Sequence, residues 1–155
     1  MIHQLDQLKS EEKDFLLDMI PMITILIGGA DGYLDQDEVE ESKRITNVRA
    51  YVNSDKLNTY YESAGQRFNT RLNELIDSFP HDVESRNAKL SEEIAKVDHI
   101  LGKMRDDQAE LFLNSWRSFA KHVAKSSGGF LSYLSESAAE SALVDLPMIE
   151  YKPGI

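Results

Sequence analysis

The chain has 155 residues, 41% of them hydrophobic, a formal net charge of -10 and no cysteine. That length fits one ordinary domain, and the apolar fraction suffices for a core. The negative balance opposes non-specific binding to DNA, RNA or anionic lipid, all of them polyanions, and the absence of thiols excludes disulfides and thiolate metal sites.

Met1 to Lys13 is polar and does not read as a signal peptide. The most apolar stretch, Leu16 to Ala30, is shorter than the ~20 residues of a membrane span and is interrupted by Asp18, Pro21 and Thr24. It reads as a buried helix, and cytoplasm is the expected location. No strand-like alternation persists, whereas helical spacing recurs along the chain, so an all-α bundle of about six helices is expected. The first helix should span Ser10 to Gly28, apolar almost all round and kinked at Pro21. Gly28-Gly29-Ala30-Asp31-Gly32 breaks it. Asp35 and Glu38 then have the spacing of a capping box for a second helix reaching about Asn53, with Ile45, Val48 and Val52 inward.

Ser54 should cap a third helix, whose stripe runs Leu57, Tyr61, Ala64, Phe68, Leu72, Leu75 and Phe79 before Pro80 ends it. A fourth carries Val83, Leu90, Ile94, Val97, Leu101 and Met104 inward. A fifth starts near Asp106 and buries Phe112, Trp116, Phe119, Ala120 and Val123. Ser126-Ser127-Gly128-Gly129 is a second break, followed by a short helix near Ser135 to Val144. One domain is expected over residues 1–155, with a core of about 8–145 and a surface tail over 146–155. The stretch from Phe15 to Leu34 also aligns with Phe112 to Leu131: Phe15 on Phe112, Gly32 on Gly129, Leu34 on Leu131. That alignment suggests two pseudo-repeated halves, with Gly128, Gly129 and Ser132 marking a degenerate second copy of the first turn.

The first turn is the chemically suggestive one. Asp31, Asp35, Asp37, Glu38, Glu40 and Glu41 crowd it, and hard cations such as Ca2+ and Mg2+ want converging carboxylate and carbonyl oxygens. Asp31-Gly32-Tyr33-Leu34-Asp35-Gln36-Asp37-Glu38 matches the second half of a calcium-binding helix-loop-helix loop. Asp31, the Tyr33 carbonyl, Asp35, Asp37 and Glu38 are the candidate ligands, and Gly28, Gly29 and Gly32 form the turn. Ile27 and Gly29 stand where the pattern puts its first acidic ligands, so low affinity is expected. The same acids also make sense as helix caps and solvated charge.

An apolar helix followed by Gly-Gly-Ala-Asp-Gly-Tyr-Leu-Asp-Gln-Asp-Glu and a charged helix resembles the TerB-like family, named for tellurite-resistance protein B. The resemblance is sharpest over Met19 to Glu41, with Asp31, Gly32 and Glu38 on the signature. It implies a small all-helical bacterial domain in the cytosol, a divalent-metal site at the turn, and a protein partner in a chemical-stress setting. Gly128-Gly129-Phe130-Leu131 lacks the acids of a second site.

No catalytic motif is present. There is no Gly-x-Ser-x-Gly elbow, no phosphate loop and no His-Glu-x-x-His, and His3, His81, His99 and His122 are scattered. Arg117, Lys121 and Lys125 form a cationic stripe suited to an acidic partner or to the second helix. The expected function is a non-enzymatic, cation-responsive interaction module. A hydrolase using the acidic cluster to hold Mg2+ and a purely structural helical protein are the alternatives.

Overall fold

A computed structural model of the chain describes residues 8–29, 36–51, 57–125 and 143–152. All regular structure among them is helical: α1 (Ser10–Gly28), α2 (Gln36–Tyr51), α3 (Asn58–Ser78), α4 (Val83–Ala95), α5 (Val97–Leu101) and α6 (Asp106–Lys125). No helix among the described residues is long and apolar enough to cross a membrane.

The centre is α1, which meets every other helix. Its inner turns have almost no polar side chains, so no face is suited to water; Met19, Ile20, Ile23, Leu26 and Ile27 have no exposed surface. Pro21 lies inside this helix, which continues through it to Gly28. The buried hydroxyl of Thr24 donates to the Ile20 carbonyl one turn back (2.9 Å), so it needs no partner outside its own helix. At the N-terminus Glu12 accepts from the Lys9 amide (2.8 Å) and from Lys103 Nζ (2.6 Å). The Lys103 ammonium, with the Lys9 amide, holds the Glu12 carboxyl below the usual range.

Around α1, α3 contributes the expected stripe, and Leu57, Tyr61, Ala64, Phe68, Leu72, Leu75 and Phe79 are all buried. On the same helix, Arg71 forks onto Asp18 of α1 (2.8 and 3.0 Å), which registers the two helices. The expected fourth helix is two, broken at Lys96, where the amides of Lys96 and His99 each bond three residues back instead of four. Leu90, Ile94, Val97, Leu101 and Met104 still face inward across the break. α6 has the clearest division of faces, with Phe112, Trp116, Phe119, Ala120 and Val123 wholly buried.

Two expectations change. Val48 does not point inward; it is 45% exposed. The buried face of α2 is instead Glu38, Val39, Ser42, Ile45 and Thr46. Its hydroxyls are satisfied within the helix, Ser42 by the Glu38 carbonyl (2.7 Å) and Thr46 by the Ser42 carbonyl (2.7 Å), so a largely polar face can be interior. The expected surface tail over 146–155 is, as far as residue 152, anchored in the core. Leu146 and Ile149 are buried, and the amides of Glu150 and Tyr151 donate to the Asp98 carboxylate (3.1 Å). The Arg117 guanidinium donates to the Asp145 carbonyl (2.9 Å) and Lys121 lies 3.7 Å from its carboxylate, so two members of the cationic stripe hold this segment and not α2. Val52, Ser54, the helix expected near Ser135 and the second turn of the apparent repeat lie outside the described residues.

Candidate functional site

Only the flanks of the acidic turn are described. Gly28 is in the last turn of α1, and Gly29 ends the helix by donating its amide to the Ile25 carbonyl (2.9 Å). A Cβ at Gly29 would stand 2.7 Å from an Arg86 nitrogen and 2.9 Å from the Ile25 oxygen, so glycine is needed here for space. Arg86 of α4 reaches over and donates to the Gly29 carbonyl. A fixed guanidinium therefore stands where the turn begins.

On the other flank, Asp37 and Glu38 open α2. Asp37 is exposed, whereas Glu38 is only 1% exposed. Adjacent helical residues diverge by about 100°, so these two carboxylates do not face a common point. Asp31, Gly32, Tyr33 and Asp35, together with Gly128, Gly129 and Ser132, lie outside the described residues. Among the described residues no three His, Cys, Asp or Glu side chains gather as metal ligands.

A second constellation, not legible as a motif, lies between α2 and α6. Arg49 extends from α2 over the outer surface of α6. Its Nη1 donates to the Tyr61 hydroxyl (2.8 Å) and to the Ser115 carbonyl (3.0 Å), and its Nη2 donates to Ser118 Oγ (3.0 Å). His122 Nδ1 is 3.4 Å from Nη2. The guanidinium carbon lies 5.3 Å from the Tyr61 ring centre and 5.8 Å from that of Phe119, within cation–π range. The Arg49 carbonyl accepts from Asn58 (2.7 Å), which fixes the end of α2 against α3. All of these partners are neutral, and Arg49 has no salt bridge among the described residues.

Beside it an open cleft of about 170 Å³ is lined by Glu41, Arg44, Ile45, Val48, Arg49 and His122. The single carboxylate there, Glu41, is engaged by both the Nε and Nη2 of Arg44. Arg44 accordingly holds the Glu41 carboxyl below its ordinary range. Partial burial, then Arg49 and Lys125, lower the pKa of His122 and so disfavour its charged form. The residues that sequence reasoning missed are Arg49, Tyr61 as a polar partner, Ser115 and Ser118. Ser115 and Ser118, three apart on α6 and facing an arginine of another helix, leave no signature in a single chain.

Comparison with known protein families, with curated proteins and with solved structures gives no match.

Proposed function

We propose that the chain is a non-enzymatic interaction module whose α1–α2 turn responds to a divalent cation, Ca2+ or Mg2+. The resemblance of Met19 to Glu41 to the TerB-like signature suggests a cytosolic bacterial stress system as the setting and a protein as the partner. The observation that carries the reading is Glu38, an acid kept at 1% exposure on the first turn of α2, a few residues after Asp31 and Asp35 in the sequence. Burying a carboxylate is costly, so a cation at this position would add to the interactions that already hold Glu38. An ion shared by Asp31, the Tyr33 carbonyl, Asp35 and Glu38 would tie the start of α2 to the end of α1. It would thereby set the pose of α2 on α3 and α6, against which α2 packs. The Arg86 guanidinium at Gly29 opposes a cation, which fits low affinity.

The test is thermal unfolding with CaCl2 or MgCl2 against NaCl of equal ionic strength. An ion that binds only the folded chain raises stability by about 2.7 kcal/mol at a hundred times its Kd. The rise should disappear in Asp31→Asn with Glu38→Gln. A flat response to millimolar ion in the native chain, or an undiminished rise in the double variant, rejects the proposal.

A further inference from the structure

The cleft between α2 and α6 is charged against the trend of the molecule. The chain carries 27 acidic and 17 basic side chains, yet Arg49 meets only neutral acceptors. Of the other groups at the opening, Arg44 and Glu41 neutralise each other and the surroundings of His122 disfavour its charged form, so the uncompensated charge is that of Arg49. In a protein with an excess of acids, a half-buried guanidinium without a carboxylate leaves a local positive potential focused by the low-dielectric helices beneath it. Its position is not accidental slack, because Tyr61, Ser115 and Ser118 hold Nη1 and Nη2 from behind. The Nε edge makes no hydrogen bond among the described residues.

Beside this charge is exposed apolar surface. Val48, 45% exposed, lines the cleft, and Tyr51, 80% exposed, continues the outer face of α2 toward a separate groove with Glu62 and Gln66 of α3. Val48 and Tyr51 are one helical step apart, so they form one outward stripe on α2. A cation beside such a stripe resembles the surface features that recognise short protein segments.

We propose that the Arg49 cleft and the exposed Val48 beside it bind a short segment of a partner protein, which places one carboxylate on Arg49 and an adjacent apolar side chain on Val48. Charge complementarity selects this occupant. Nucleic acid would bring many phosphates to a chain of net charge -10 and is repelled. A free inorganic anion would use the Arg49 charge but leave Val48 in water. A second copy of the chain would bring the same large negative charge. The inference does not depend on cation binding at the α1–α2 turn.

The experiment is an NMR titration of the full chain, in chelator, with acetyl-Leu-Glu-Leu-amide and with its glutamine counterpart. The acidic peptide should shift the Arg49 Nε–H, the Val48 methyls and the His122 ring. The glutamine peptide should bind roughly ten-fold more weakly, as expected for loss of one charge-assisted contact. Val48→Ser, at an exposed position, should weaken the acidic peptide without altering the helical circular dichroism. Arg49→Lys keeps the charge but loses the planar fork and should weaken it as well. Equal binding of the two peptides, or shifts confined to other surfaces, overturns the proposal. So does an identical pattern with inorganic phosphate that is indifferent to Val48→Ser. Concentration-dependent shifts at Val48 and Tyr51 without peptide would assign the stripe to self-association and overturn it too.

Discussion

The Tyr60 side chain is wholly buried, and its hydroxyl links three helices. It donates to the Leu16 carbonyl of α1 and accepts from Trp116 Nε1 of α6 (3.0 Å), while its ring meets Tyr61 and Phe112 edge-on at 5.1 Å. Removing the oxygen leaves a buried indole N–H without its acceptor, so Tyr60→Phe should cost about 1–3 kcal/mol in urea unfolding at neutral pH. Burial also pushes the Tyr60 ionisation well above its ordinary value. Below about pH 10, where an unfolded tyrosine ionises, neither state loses the proton and the stabilisation is complete. As pH rises through that value only the unfolded chain releases it, so stability falls toward the raised folded pKa. Tyr60→Phe should therefore show a shallower alkaline decline than the native chain, read from unfolding curves at neutral and alkaline pH. An equally steep decline in the variant would mean that another group drives it. Helical spacing selected Trp116, Tyr61 and Phe112, but Tyr60 lies beside that stripe, and its polar bridge depends on which helices meet. One chain's periodicity does not contain that information.

At the scale of elements, the segment from Leu143 to Lys152 shows how an irregular stretch can be part of the core. Its anchors, Leu146 and Ile149, sit among turns and have no helical or strand period, so hydrophobic patterning gives them no weight. Leu146 also has a φ of 51°, the left-handed region that costs an L-residue about 1–2 kcal/mol. Its complete burial offsets that strain. Leu146→Ala keeps the strain and loses the packing, and should destabilise by about 2–4 kcal/mol. Leu146→Gly loses the same side chain but relieves the backbone, and should be no worse than the alanine variant despite the greater freedom of an unfolded glycine. Chemical denaturation of the two variants decides this; a glycine variant much less stable than the alanine one would show that φ there is unstrained. α2 teaches the converse. Apolar character alone places Val48 inward, but Ser42 and Thr46 take the interior by bonding to their own helix. The exposed valine then becomes part of a surface that composition alone would not single out.

For the whole molecule, the helical class and the central position of α1 were legible because a helix apolar on every side has only one stable place to be. The candidate site was legible only as an acidic turn, since a short loop motif is read directly, whereas the Arg49 cleft needs α2 to meet α6 residues 66 to 73 positions beyond Arg49. That separation has a dynamic consequence. Opening any α1 amide between Leu17 and Ile27 requires breaking contacts with α3 and α6 together, because the helix is enclosed by them. These amides should exchange with deuterium only through global unfolding, at the free energy that denaturant titration gives for the whole chain. The last turn of α2, by contrast, exposes Val48 and Tyr51 and is anchored through one residue, Arg49, whose carbonyl accepts from Asn58 and whose guanidinium reaches Tyr61, Ser115 and Ser118. Its amides should exchange through local fraying, at a clearly smaller free energy. Hydrogen exchange resolved by residue would show two classes if the core is one cooperative unit and the docking stripe lies on its soft edge. Exchange of α1 below the global value would mean that the helices around it can part without the rest unfolding.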